Sequence, residues 1–88
     1  MIKQNGKVSV IIPVYNGEKY IEETLNSVLQ STYQNIEVLI INDGSTDNSR
    51  EICEHMRQQD SRIVIYDQQN SGVVTARNYG VSKATGTF

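Results

Sequence analysis

Three short, β-branched apolar runs constrain this chain more than anything else in it: "VSVIIPV" at Val8–Val14, "IEVLII" at residues 36–41 and "RIVIY" at residues 62–66. Each is bounded by turn-forming residues, the pattern of a strand rather than a buried helix. The first two are almost continuously apolar, as expected of parallel strands covered on both faces. Pro13 stands at the end of the first run, where the loss of one N–H costs the ladder least.

The segments between the runs have helical spacing. Ile21, Leu25, Val28 and Leu29 share one face of a helix over about residues 17–31, because they fall at i, i+4, i+7 and i+8. Glu18, Glu22 and Glu23 place negative charge in its first turns, where the helix dipole favours it. A second helix is expected to start within Ser45-Thr46-Asp47-Asn48, all good N-cap types, and to bury Ile52, Cys53 and Met56. A third is expected over residues 72–84, with Val73, Ala76 and Gly80 as its small packing face and Gly86 marking its end. The order β-α-β-α-β-α predicts an α/β fold: a three-layer, Rossmann-like parallel sheet with right-handed crossovers. Ligands of such sheets bind beyond the carboxyl ends of the strands.

Length and charge narrow the options. With 88 residues the chain is a single unit. A chain of this size buries only roughly 60 to 65% of its unfolded surface, so its core is marginal. Eight Lys and Arg against ten Asp and Glu, with no basic block, give nucleic-acid or membrane-surface binding no electrostatic support. Cys53 is the only cysteine, which excludes an intrachain disulfide and a cysteine metal cluster and fits a reducing, cytoplasmic setting. Met1 to Lys7 is a mainly polar stretch with no apolar signal core, and no apolar run approaches the roughly 20 residues of a membrane span.

Three patches converge at the strand ends of this topology: "PVYNGE" from Pro13, "NDGSTD" from Asn42 and "NSGVVTARN" from Asn70. They supply an aromatic ring, a carboxylate and a guanidinium. Such a set suits a nucleotide: a tyrosine stacks on the base, a carboxylate accepts an imide N–H, and an arginine pairs with carbonyl or phosphate oxygens. A G-x-G-x-x-G fingerprint and a P-loop are both absent, which disfavours a dinucleotide fold of the usual type and NTP hydrolysis. Plainer roles exist for each residue. Asp43-Gly44 is a common turn pair, Ser45 or Asp47 can serve only as a cap, Tyr15 can cover a sheet edge, and Arg77 can be a solvated surface charge. Asn16-Gly17 is a hairpin signal that the following helical pattern overrides. Cys53 reads as a small core residue, and His55, without a partner at metal spacing, as exposed.

Taken together, the P-x-Y-N of Pro13 to Asn16, the N-D-G-S-x-D of Asn42 to Asp47 and the N-x-G-x-x-x-A-R-N-x-G of Asn70 to Gly80 resemble the N-terminal part of the family 2, GT-A-fold glycosyltransferases. The resemblance runs from Val8 to Phe88. It implies transfer of a sugar, with inversion, from a nucleotide-activated donor, most often a UDP-sugar. By matching motif, Pro13 and Tyr15 would border the uracil with Tyr15 stacked on it, Asp43 would accept the uracil N3–H, and Arg77 would line the same site. Asn16 and Glu18 lie in the matching loop and are further candidates for nucleotide binding. The family pattern continues into a strand ending in a D-x-D motif that binds a divalent metal, Mn or Mg, and then to the acceptor site and the general base. This sequence ends at Phe88, before those features. The chain is therefore expected to carry the nucleotide-binding half and to be inactive alone. The absent strand would pair beside Val8–Val14, so the resemblance further implies an unpaired edge and self-association through it. Some family members are attached to membranes through later segments. Two alternatives stand beside the enzymatic reading: a module that binds a uridine nucleotide or a partner chain without chemistry, and a structural remnant that binds no nucleotide.

Overall fold

The β-branched runs do form strands, and the central one is the most buried. The computed structural model describes residues 6–87, in the order β1 (Val8–Val14), α1 (Ile21–Leu29), β2 (Ile36–Asp43), α2 (Ser49–Gln59), β3 (Ile63–Gln68) and α3 (Val73–Lys83). The strands form one parallel sheet in the order β1-β2-β3. Every residue of β2 is buried, which is why its run is apolar on both faces, apart from Glu37, rather than alternating.

The two faces of the sheet separate by residue parity. Val14, Val38, Ile40 and Ile63 join Ile21 and Leu25 of α1 and Cys53 and Met56 of α2 in one core cluster. Val28, Leu29 and Ile52 pack against that cluster as the helical spacing requires. The other face belongs to α3, which packs across β1 and β2. There Ala76 is fully buried, and Gly80 lies so close to β1 that a Cβ on it would stand 2.5 Å from Ile11 Cγ2. Tyr66 of β3 meets Tyr79 of α3 at 5.6 Å between ring centroids, with the Lys83 ammonium near both rings. The result is the three-layer β-α-β-α-β-α arrangement that the run order predicts.

Boundaries differ from the expectation in ways that have local causes. The first helix starts at Ile21 rather than near residue 17. Residues 18–20 form a turn in which the Tyr20 and Ile21 N–H groups both donate to the Gly17 carbonyl. The second helix runs from Ser49 with Asn48 as its N-cap, at the end of the expected stretch, because residues 45–47 are committed to contacts with the β1–α1 loop. Strands β2 and β3 run on past their apolar cores to Asp43 and Gln68, which are paired in the ladder. Val73, expected on the packing face of α3, is instead half exposed. It is the first residue of the helix, beyond the part that covers the sheet. His55 is exposed, as its isolation in the sequence suggests, and Cys53 is a core residue.

At the opposite end of the sheet from these loops, a buried carboxylate pins the C-terminal segment. Glu37 of β2 accepts from Ser9 Oγ (2.5 Å), from the Thr85 N–H (2.6 Å) and from Thr85 Oγ1 (3.0 Å), and Lys7 Nζ lies 3.6 Å away. Ser9 Oγ in turn accepts from the Gly86 N–H at 2.8 Å. Burial pushes the Glu37 carboxyl up, but the Ser9 and Thr85 hydrogen bonds and the Lys7 charge outweigh it and hold the group below its ordinary value. This latch seats Thr87 beside the start of β1 as a parallel bridge to Val8, with the Ser9 N–H donating to the Thr87 carbonyl at 2.7 Å. The outer edge of β1, expected to be bare, is thus paired at its N-terminal end.

Candidate functional site

The loops at the carboxyl ends of β1 and β2 are held together by their own side chains. Asn16 adopts a left-handed backbone conformation, φ +50°, which asparagine tolerates better than most residues. Its Oδ1 accepts from the Thr46 N–H at 2.8 Å and the Asp47 N–H at 3.3 Å, while its own N–H donates to Ser45 Oγ at 3.0 Å. The Gly17 N–H donates to Ser49 Oγ (2.7 Å) and the Glu18 N–H to Asp47 Oδ2 (3.2 Å). Glu18 Oε1 accepts from the Asn48 N–H at 3.0 Å, one residue before α2. The hydroxyl and carboxylate cluster of "GSTDNS" therefore acts as a clasp, and Asn16 and Glu18 spend their side chains on it. Asp47 is held below its ordinary range, because hydrogen bonds from Ser49 and the Glu18 N–H overcome the opposing effect of burial.

The clasp fixes one wall of a cleft of about 200 Å³ lined by Pro13, Val14, Tyr15, Tyr20, Asp43 and Val73. Tyr15 and Tyr20 each keep about half their surface exposed, 51% and 52%, so both side chains are accessible at the cleft. The Tyr20 ring rests on Gly17: a Cβ there would stand 2.7 Å from the ring, so no larger residue fits without moving it.

Asp43 lies at the third side, and it is buried. Its Oδ1 accepts from Gln68 Nε2 at 2.8 Å and from the Ser71 N–H at 2.7 Å, and its Oδ2 from the Gly72 N–H at 3.0 Å. Its backbone carbonyl accepts from Asn70 Nδ2 at 3.2 Å. The Gln68 amide and the Ser71 N–H, joined by the Gly72 N–H, outweigh burial and keep the carboxyl below the ordinary aspartate value of 3.8. Asp43 is therefore an ionised acceptor at neutral pH, and it ties the β3–α3 loop to the end of β2. Gly44 beside it has φ +70°, and a Cβ on it would lie 2.7 Å from the Asn70 N, so glycine is required there.

Of the residues singled out in the sequence, Pro13, Tyr15 and Asp43 come together around the cleft. Asn16 and Glu18 lie next to it in the clasp. Arg77 is exposed on α3, outside the cleft lining. Tyr20 and Gln68 were not singled out, and Val73 was assigned to the packing face of α3 rather than to the site. Tyr20 carries a detectable signal, an aromatic residue one position before an amphipathic helix, but Gln68 becomes visible only once the ladder places β3 beside Asp43, and Val73 only once the start of α3 is seen to line the cleft.

A larger depression of about 470 Å³ runs along α1, lined by Glu18, Lys19, Glu22, Glu23, Asn26, Ser27 and Gln30. Its three carboxylates would repel a phosphorylated ligand. On the other side of β2, Asn42 donates to Asp67 at 3.0 Å, and Arg50 pairs with Asp67 and Glu54. These are partly exposed structural ion pairs, worth about 0 to 1 kcal/mol each.

Known proteins share this architecture. The chain superposes on the mannosyltransferase PcManGT from Pyrobaculum calidifontis, solved in complex with GDP-Man and Mn2+, with a TM-score of 0.84 and 26% identity over 90% of this chain and 24% of that one. It is 45% identical over 82 residues to the glycosyltransferase GlyA of Streptococcus pneumoniae, covering 93% of this chain and 12% of the relative. It is equally similar to GlyG of the same organism (45% over 82 residues, 92% of this chain and 27% of the relative). A putative teichuronic acid biosynthesis glycosyltransferase, TuaG of Bacillus subtilis, is 43% identical over 82 residues, 92% of this chain and 32% of the relative. The chain thus spans between about an eighth and a third of the length of these curated relatives. The sequence model described as glycosyl transferase family 2 matches residues 9–88, and with the parallel sheet and the strand-end cleft in place, the chain belongs to that family.

Proposed function

We propose that this chain is the nucleotide-binding half of a glycosyltransferase that moves a sugar from a UDP-sugar donor to an acceptor with inversion. One observation carries the reading: an ionised, buried Asp43 at the edge of a cleft whose other walls are Tyr15 and Tyr20. In this reading Tyr15 stacks on the uracil, Pro13 borders it, and Asp43 accepts the uracil N3–H. Arg77 meets the donor from α3, and Asn16 and Glu18 hold the loop that carries Tyr15. A carboxylate acceptor selects bases that present an imide N–H and rejects cytosine and adenine, whose matching ring nitrogens are acceptors. Guanine also presents such an N–H, and PcManGT was solved with GDP-Man. The small volume of the cleft favours the single-ring base.

PcManGT also holds Mn2+, and a divalent cation suits the neutralisation of a departing diphosphate. Among the described residues no group of three or more His, Cys, Asp or Glu side chains could hold a metal ion. Residues 6–87 do not by themselves fit the cation, and no step is assigned through it. The 88-residue chain is accordingly expected to bind donor without turning it over; sugar transfer by that purified chain would refute this. The likeness to TuaG, a putative teichuronic acid biosynthesis glycosyltransferase, supports a role in polysaccharide biosynthesis. No helix among the described residues is long and apolar enough to cross a membrane. Among the described residues the outer edge of β1 beyond the Val8–Thr87 bridge has no strand partner; it is a site for self-association, and a monomeric mass at high concentration would contradict it.

Calorimetric titration with UDP, GDP, CDP and ADP tests the base assignment. UDP binding at least tenfold tighter than CDP supports it, since the two differ only at the edge that Asp43 reads. Equal affinity for UDP and CDP would refute it.

A further inference from the structure

We infer that Gln68 is a positioning residue for base recognition: its side-chain amide sets the Asp43 carboxylate so that one acceptor position of Oδ2 stays open to the cleft. The inference rests on the proposal that the cleft holds a base.

The geometry leaves Asp43 little freedom. A carboxylate offers about four acceptor positions, two on each oxygen. Oδ1 uses both of its own, for Gln68 Nε2 at 2.8 Å and the Ser71 N–H at 2.7 Å. Oδ2 uses one, for the Gly72 N–H at 3.0 Å. One position remains, on the oxygen that is not saturated. Gln68 is the direct ladder partner of Asp43, so both side chains leave the same face of the sheet from strands roughly 4.8 Å apart. That spacing is what lets the amide reach Oδ1 sideways, without entering the cleft. The two backbone donors come from the turn that opens α3, and the Gln68 amide comes from β3, so two separate elements hold the carboxylate.

The amide also keeps Asp43 in the form the base needs. A protonated Asp43 would present an O–H where an acceptor is required, and the Gln68 hydrogen bond opposes protonation. The titratable groups that share the cleft with Asp43 are the Tyr15 and Tyr20 phenols. Gln68, Ser71 and Gly72 face it from β3 and the start of α3, and Arg77 of α3 makes no ion pair with it among the described residues.

The test combines Gln68→Met, which keeps the length of the side chain and removes the donor, with Gln68→Glu, and uses Gln69→Met on the exposed neighbouring position as control. UDP affinity is measured by calorimetry at pH 7, and the Asp43 carboxyl is titrated by carbon-detected NMR on the same samples. Gln68→Met is expected to weaken UDP binding by roughly tenfold, the scale of one hydrogen bond to a charged group, and to move the Asp43 titration upward. Gln68→Glu places a second carboxylate against Oδ1; it is expected to weaken binding further and to make one of the pair titrate well above the usual carboxylate range. Gln69→Met should match the wild type. If the wild type binds UDP and Gln68→Met binds it within twofold, or if the Asp43 titration does not move, the assignment of Gln68 is overturned while the base site stands. If the wild type does not bind UDP, the base site and this inference fall together.

Discussion

Substituting Gly80 by alanine sets two effects of opposite sign against each other. In an exposed helix interior, alanine is favoured over glycine by about 0.8 to 1 kcal/mol. Here the new methyl would stand 2.5 Å from Ile11 Cγ2, 3.3 Å from Cγ1 and 3.4 Å from Cδ1. Ordinary carbon contacts are about 3.5 to 4.0 Å, so α3 or Ile11 must yield by about 1 to 1.5 Å. Ile11 cannot rotate away cheaply: it is β-branched, and turning χ1 brings another branch toward the same point. Overpacking of this kind costs about 1 to 3 kcal/mol. The packing term wins at the upper part of that range, for a net loss of about 1 kcal/mol, or a fall in Tm of roughly 4 to 8 °C for a domain of this size. The shift would also carry the start of α3, whose Ser71 and Gly72 N–H groups hold Asp43, so UDP affinity should fall with stability. Urea unfolding of wild type and Gly80→Ala, paired with UDP calorimetry, measures both. An unchanged or raised urea midpoint would refute the argument that the close approach to β1, rather than helix propensity, decides this position.

Asn16→Ala removes the acceptor of two backbone N–H groups and leaves alanine at φ +50°; stability should drop by about 2 kcal/mol, while Asn16→Gly, free of the backbone strain, should drop by about 1 kcal/mol less. Equal melting temperatures for the two would show that backbone strain plays no part. Glu37 titrates below its ordinary value of 4.5 in the folded chain, so its contribution is fully present above that value and lost as pH falls through the depressed folded one. Tm measured against pH should therefore decline below about pH 4.5 in the wild type and decline less in Glu37→Gln, with faster amide exchange at Thr85 and Gly86 in the variant; parallel curves would contradict the latch. The Cys53 thiol is buried at 1% exposure and pushed up to about 11 by burial, so a thiol reagent at pH 8 should label it only at the rate of unfolding. Rapid stoichiometric labelling of native protein would overturn that placement.

The alternation of β-branched runs and helical spacings is a local property of the chain, and it carried the fold: each run is one strand and each amphipathic stretch one helix. Pro13, Tyr15 and Asp43 were legible for the same reason, since the carboxyl end of a parallel strand is known once the strand is. What escaped was set by contacts between distant segments. The late start of α1, and the placing of the α2 start at the far end of the expected stretch, go with a clasp between residues 16–18 and 45–49, and no window of sequence contains both halves. Gln68 looks like any polar residue after a strand until the register sets it beside Asp43. Glu37 interrupts an apolar run and would be an error in a central strand, were it not for Ser9, Lys7 and Thr85 gathering around it. Buried polar residues of this kind are satisfied by partners that only the folded chain assembles.

The most direct measurement of the central claim is an amide NMR titration of the chain with UDP, with AMP as the control nucleotide. The account predicts a dispersed spectrum in which UDP, and not AMP, shifts Tyr15, Tyr20, Asp43 and Val73 together, with smaller changes at Ser71 and Gly72 and none at the Glu37 latch. A dispersed spectrum that UDP leaves unchanged at those residues would contradict it.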